Sequence, residues 1–318
     1  MTAQDRSIQQ YQQLLQINAA SHLIRLARDC GLFQALAAGQ RTAAQLTEAL
    51  EVRPTMLRLL LDALCATGVI EQYGDDYALA QVTRLLTQYD ADLGDHLWGR
   101  LQLALREETL PDLRAYHQSL AATQWIHTRA AMEAAEMLGI GGERQGCRIL
   151  DWGCGAAVWS CAMAYRDQQA TVTAVDHATV LGVANETAAA IELGSRFSTI
   201  QGDPAGVELP DASFDLAILP QRLHTESLTT ALQWLRRIWS ALDKGGEIVV
   251  IDLFQTPSAP RLGEAIEALR LELSTPAGEV RSFQQTEQQL LEVGFKRPQF
   301  SYLPASHLNL GLLVARKE

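Results

Sequence analysis

Two carboxylates and two glycines in the C-terminal half have the spacing of a nucleoside site. The segment ILDWGCGAAVWS ends an apolar, β-like run on Asp151 and follows it with Gly153 and Gly155. Glycine at such a turn lets the backbone approach a ligand closely and adopt conformations closed to other residues. The register is D-x-G-x-G, with Ala157 at the frequent third-glycine position and Val158 where G-x-G-x-x-G needs glycine. A pyrophosphate-cradling loop is therefore disfavoured, and with it an NAD-dependent oxidoreductase. The next run, ATVTAVDHATV, ends on Asp176 and His177, where a carboxylate can accept hydrogen bonds from both ribose hydroxyls. A third run is followed by Gly202, Asp203 and Pro204; an acidic side chain at that edge can accept from an adenine amino group. A single carboxylate would read as a helix N-cap. The spaced set with the glycine turn reads as an adenosine slot, and a slot without a phosphate loop suits S-adenosylmethionine.

A fourth run, FDLAILP, leads into Pro220, Gln221 and His224, at the sheet edge where such folds bind ligands. An imidazole with an ordinary pKa near 6.5 can act as a neutral base at cellular pH. His224 has two readings: a general base, or a structural or acceptor-lining residue. Glu226 could orient the same loop. No metal site is expected, because the five cysteines (Cys30, Cys65, Cys147, Cys154 and Cys161) include no C-x-x-C pair.

These residues need a parallel sheet to hold them. From Cys147 onward, the runs CRILD, ATVTAVD, RFSTIQ, FDLAILP and GEIVVIDLF alternate with helical segments near Val158 to Arg166, Val180 to Leu193 and Leu228 to Leu242. A helix near Gln284 to Val293 precedes QFSYL and LGLLVARK, whose short connection makes them antiparallel. The fold class expected is α/β, a doubly wound sheet with an antiparallel last strand. Upstream, helices are expected at Ile8 to Arg28, Thr42 to Leu50 and Pro54 to Ala66, then two β-like runs around a Gly-Asp-Asp turn. That is a winged helix. A helical stretch from Asp92 to Leu138 follows, carrying Trp98, Tyr116, Trp125 and Met132 as pocket or core residues. The expected domains are 1–95, the winged helix; 96–140, connecting helices and acceptor pocket; and 141–318, the cofactor domain.

A winged helix can bind DNA. Here the helix from Arg53 to Thr67 has only Arg53 and Arg58 as basic residues, the wing tip holds Asp75 and Asp76, and the net charge is -11. That balance is the wrong sign for a phosphate backbone or an anionic membrane, so dimerisation is the favoured reading and a DNA-binding regulator the alternative. With no leader and no long apolar run, a cytoplasmic protein with a small-molecule substrate is expected.

The chain resembles the bacterial and plant small-molecule O-methyltransferases, over nearly its whole length. The resemblance rests on AAQLTEALEVRPTMLRLLLDALCATGVIE, ILDWGCG, AVDHATV, QGD, ALDKGGEIVVIDLF, STPAGEVRSF and LLEVGF. The TPAG variant is similar to the branch containing the bacteriochlorophyllide C-20 methyltransferase. The resemblance implies a winged-helix domain forming a homodimer, a Rossmann-like domain binding S-adenosylmethionine, and methyl transfer to a hydroxyl, or a carbon, of an aromatic or polycyclic metabolite. His224 matches that family's catalytic histidine. Two positions depart from the pattern: Thr225 replaces the usual acidic or amide residue, and Val280 replaces a glutamate before Arg281, with Glu279 one residue away. These departures keep open a cofactor-binding protein of another function.

Overall fold

The computed structural model describes residues 3–107, 111–204, 206–256 and 259–318. The chain divides into two units, Met1–Gly99 and Arg100–Glu318.

The first unit contains α1 (Ala3–Asp29), α2 (Leu32–Ala37), β1 (Arg41–Thr42), α3 (Ala43–Leu50), α4 (Pro54–Ala66), β2 (Ile70–Tyr73), β3 (Asp76–Leu79), α5 (Gln81–Tyr89) and α6 (Asp95–Trp98). Thr42 caps α3 through a reciprocal capping box with Gln45, which satisfies two otherwise orphaned N–H groups. Pro54 opens α4, whose Leu57, Leu61 and Leu64 are buried at helical spacing. They pack with Leu32, Leu36, Leu46 and Ile70 into one core. β2 and β3 form the wing, pairing Ile70 with Leu79 and Tyr73 with Asp76, and β1 adds to β3. α2 and β1 fall in a short span that sequence periodicity leaves blank.

The second unit begins with α7 (Leu101–Ala104), α8 (Leu113–Thr123), a 3-10 turn at Gln124–His127 and α9 (Thr128–Met137). The continuous helical stretch expected from Asp92 to Leu138 is thus broken. Left-handed Gly94 precedes α6, and Asp112, following Pro111, caps α8 by accepting from the Ala115 N–H at 2.9 Å. A capping side chain and a residue held off the helical region both stop helix propagation.

The sheet then alternates β4 (Arg148–Trp152), α10 (Val158–Arg166), β5 (Thr171–Asp176), α11 (Ala178–Ala190), β6 (Phe197–Gln201), β7 (Phe214–Pro220), α12 (Leu228–Ala241) and β8 (Leu242–Asp252). α13 (Leu262–Ser274), α14 (Phe283–Val293), β9 (Lys296–Tyr302) and β10 (Gly311–Arg316) complete it. α13 is a helix that the sequence pattern did not announce. Among the described residues the strand order is β6-β5-β4-β7-β8-β10-β9. The first five strands are parallel, and β10 runs antiparallel to both β8 and β9. Apolar clusters cover both faces, so the runs are nearly continuously hydrophobic. The strand order reverses between β4 and β7, and a ligand crevice opens at their carboxyl ends. No helix among the described residues is long and apolar enough to cross a membrane.

Candidate active site

The turn after β4 is held from below and from the side. Asp151 is wholly buried, and its Oδ2 accepts from the Ser160 hydroxyl on α10 at 2.5 Å. Its Oδ1 has no partner, and burial pushes the carboxyl up to about 7. Gly153 and Gly155 both have left-handed backbones, φ 69° and 57°. A Cβ on Gly153 would fall on the Arg222 side chain, and one on Gly155 would come within 3.1 Å of Gln124 Nε2. Ala157 keeps the same conformation at φ 56°, at a cost of roughly 1–2 kcal/mol. The third-glycine position thus retains a glycine geometry with an alanine in it.

Asp176, buried at the end of β5, fastens this turn. Its Oδ2 accepts from the Gly155 N–H at 3.0 Å and its Oδ1 from the His177 N–H at 2.8 Å. A carboxylate has about four acceptor positions, so two remain for a ligand. Asp176, His177, Gly202 and Asp203 line a cavity of about 580 Å³, with Arg114 and His117 of α8 opposite. A smaller cavity of about 60 Å³ is lined by Gly153, Gly155, Pro220, Gln221, Arg222 and Glu267, and shares His117 and Asp176 with the first. The expected residues Gly153, Gly155, Asp176, His177, Gly202, Asp203, Pro220 and Gln221 therefore surround two adjoining cavities. Asp151, Pro204 and His224 line neither.

His224 lies in a buried 3-10 turn, Leu223–Thr225, after β7. Its Nδ1 bonds the Asp252 carboxylate at the end of β8, and its backbone N–H donates to the same carboxylate at 3.2 Å. The Nε2 is 3.4 Å from the Tyr116 hydroxyl, which donates to Glu267 Oε1 at 3.0 Å. The loop is clamped from outside: Arg281 donates to the Leu223 carbonyl at 2.8 Å and to that of Glu226, and the Glu279 N–H donates to the His224 carbonyl at 2.8 Å. The segment TPAGEVRS thus braces the histidine loop through backbone contacts. Val280 packs against the apolar core while Glu279 is exposed, so neither supplies a carboxylate to His224. Thr225 donates to the Arg222 carbonyl at 2.8 Å, a loop-closing role.

Asp252, Glu267, Arg222 and His117 were not singled out by the sequence, and Tyr116 was marked as a pocket or core residue without its link to His224. Asp252 carried a usable signal, since it ends a parallel strand as Asp176 does. The others come from α8, α13 and a loop, where spacing says nothing about which side chains converge. The Arg222 guanidinium is buried and donates to the His117 ring. Burial first, then the charge of Arg222, push His117 down to about 2, so it is neutral at cellular pH. Of the remaining pocket-or-core candidates, Trp125 is exposed and Met132 packs on the core.

Two family models match this chain: a methyltransferase domain over residues 149–246 and an O-methyltransferase dimerisation domain over residues 12–89. The chain belongs to the small-molecule O-methyltransferase family. This methyltransferase is similar to the N,N-dimethyltransferase OxyT of Streptomyces rimosus, 23% identical over 316 residues, 91% of this chain and 92% of that protein. It is 26% identical over 254 residues to the 3-hydroxy-5-methyl-1-naphthoate 3-O-methyltransferase of Streptomyces sahachiroi, covering 71% and 72% of the two chains. The human N-acetylserotonin methyltransferase, solved in complex with S-adenosylmethionine, has the same fold, with a TM-score of 0.72, 20% identity and coverage of 100% and 98%. The enzyme transfers a methyl group from S-adenosylmethionine to a small metabolite. These findings favour catalysis over a regulatory or non-methylating protein of the same fold. The residues present fit the cofactor: a glycine cradle in which a Cβ would collide, and the Asp176 carboxylate, which keeps acceptor positions beyond those taken by Gly155 and His177.

Proposed function

We propose that the methyl acceptor is a hydroxyl-bearing aromatic metabolite and that the acceptor's proton ends on His224. The observation that carries this reading is the buried pair of His224 and Asp252, with His224 on the same loop as the Arg222 that lies against Gly153. With Nδ1 facing a carboxylate, the imidazole carries its proton there and leaves Nε2 as the basic atom. Asp252 then stabilises the imidazolium that forms on proton uptake, as a carboxylate orients and supports other catalytic histidines.

Asp176 would take the ribose hydroxyls and Asp203 the adenine amino group, with His177, Gly202, Pro204, Pro220 and Gln221 shaping the slot. Gly153 and Gly155 would meet the amino-acid end, and Asp151 would hold the turn from beneath. When bound, S-adenosylmethionine supplies an electrophilic methyl group on a sulfonium. The protein contributes alignment, exclusion of water and a place for the proton. The relative from Streptomyces sahachiroi is named for O-methylation of a hydroxynaphthoate, which supports a hydroxyl on an aromatic ring.

We further read residues 1–95 as the dimerisation module, 96–140 as connecting helices that contribute to the acceptor pocket, and 141–318 as the cofactor domain. α1 exposes Ile8, Tyr11, Leu14, Leu15 and Ile17, each more than half accessible, an apolar surface suited to a second copy of the chain. The acidic charge supports an enzyme without a nucleic-acid partner, and we read it as cytoplasmic. The test is transfer of a deuterated methyl group to a panel of phenols, naphthols and arylamines, read by mass spectrometry in wild type and His224→Ala. Transfer to hydroxyls that the variant loses while still binding S-adenosylhomocysteine is expected. Transfer to amines alone, or an unimpaired variant, would contradict the reading.

A further inference from the structure

His224 is buried, as is Tyr116, and neither lines the two cavities beside the glycine turn. Glu267 does. A ligand in the smaller cavity therefore meets Glu267 before it can meet the imidazole. We propose that Glu267 is the catalytic carboxylate that takes the acceptor's hydroxyl proton, and that Tyr116 relays it to His224. The proposal rests on the reading of His224 as the final proton site.

The hydrogen-bond count supports a relay. Nδ1–H points to Asp252, so the Nε2 lone pair faces the Tyr116 oxygen. Tyr116 has one proton for two acceptors. Given to Glu267, it leaves the Nε2 lone pair facing an oxygen lone pair; given to His224, it leaves that Glu267 oxygen without its donor. With one more proton every group is satisfied: Nδ1–H to Asp252, Nε2–H to Tyr116, and Tyr116 O–H to Glu267. The array is built to hold one proton between two carboxylates. Burial, and then the charge of Glu267, push the Tyr116 phenol well up, so it passes a proton without resting as an anion. Arg270 lies 4.0 Å from Glu267 and over the Tyr116 ring. Among the described residues, Arg281 acts on Asp252, and neutral His117 on His224, with Arg222 beside His117 and Glu226 beside Arg281. Val280 occupies the position where the resembled family has a glutamate; α13 supplies a carboxylate from elsewhere.

In the step, the acceptor O–H bond breaks and its proton goes to Glu267. The oxygen lone pair forms the O–CH3 bond while the methyl–sulfur bond breaks, its electron pair going to sulfur. The proton then moves from Glu267 to the Tyr116 oxygen as the Tyr116 proton moves to Nε2. One proton is transferred and nothing is oxidised or reduced.

The test uses the full-length protein saturated with S-adenosylhomocysteine, in wild type, Tyr116→Phe, Glu267→Gln and Glu267→Asp, with the His224 ring resonance assigned by its loss in His224→Ala. Tyr116→Phe and Glu267→Gln should each lower the pH at which that resonance shifts by one unit or more, a tenfold loss of proton affinity, and Glu267→Asp should recover part of it. Ligand affinity should stay within threefold. With the hydroxyl acceptors of the panel, kcat should fall about a hundredfold in both variants. Unchanged titration in Tyr116→Phe and Glu267→Gln would overturn the relay and leave His224 acting directly. An active His224→Ala would instead remove the base on which the proposal stands. Should Tyr116→Phe lose the ligand, Glu267→Gln decides alone.

Discussion

Removing the Asp176 carboxylate is the sharpest perturbation of the nucleoside slot, because one side chain both holds the turn and faces the larger cavity. In Asp176→Ala, the Gly155 and His177 N–H groups lose their acceptors at 3.0 and 2.8 Å. Each orphaned donor costs about 1–3 kcal/mol if buried. The cavity of about 580 Å³ alongside admits water to them, so the low end, about 2 kcal/mol in all, is expected for stability. The ligand loses two hydrogen bonds to a charged acceptor, about 1.5–3 kcal/mol each. Together that is roughly a 10²- to 10⁴-fold weaker Kd. Asp176→Asn keeps one acceptor but turns an amide N–H toward a backbone N–H, so it should fall between the two. Isothermal titration with S-adenosylhomocysteine at neutral pH, with thermal unfolding as the control, gives both quantities. A folded Asp176→Ala protein binding within threefold of wild type would refute the assignment.

Asp252→Asn removes the charge behind His224 without changing its shape; turnover should fall about 10²- to 10⁴-fold with S-adenosylhomocysteine affinity unchanged, read by single-turnover kinetics and titration calorimetry. Asp151→Asn tests burial without charge. The folded carboxyl sits near 7 and the unfolded one near 3.9, so the native state binds the proton more tightly and stability falls as pH rises from about 4 to 7. The penalty reaches about 4 kcal/mol above that window, so the variant should unfold at higher urea than wild type at about pH 8 and at similar urea at about pH 4. Gly153→Ala places a methyl on Arg222 in a left-handed backbone and should cost about 1–3 kcal/mol, with cofactor affinity down tenfold or more; a melting temperature equal to wild type would contradict this. Leu14→Glu on the exposed face of α1 should convert a dimer to a monomer in sedimentation velocity while the first unit stays folded by circular dichroism.

The parallel sheet was legible because strands buried on both faces are written as short β-branched runs, and the turn because glycines after Asp151 serve no purpose in an ordinary helix start. The final antiparallel pair followed from a connection too short for a crossover. Other elements were hidden for physical reasons. α2 has six residues, fewer than two helical turns, and α13 is partly exposed with its buried residues at one end, so neither writes a periodic stripe. The region from Asp92 to Leu138 is helical in composition, and among the described residues left-handed Gly94, the Asp112 cap and the 3-10 turn at Gln124–His127 break it. His224 was found by its place after β7, but its setting was not. Asp252 stands 28 residues from His224 and Tyr116 108, and Tyr116 in turn meets Glu267 across 151 residues; contacts at such separations leave no local pattern. The Val280 departure is absorbed by the core, a fact visible only once Glu279 and Val280 are placed on opposite sides of the chain.

The most direct test of the central claim is a crystal structure of the full-length enzyme with S-adenosylhomocysteine. The account predicts the ribose hydroxyls on Asp176, the adenine amino group on Asp203 and the amino-acid end against Gly153 and Gly155, with the sulfur facing the cavity lined by Glu267. A ligand bound away from Asp176 and the glycine turn, or with its sulfur directed away from Glu267 and His224, would contradict it.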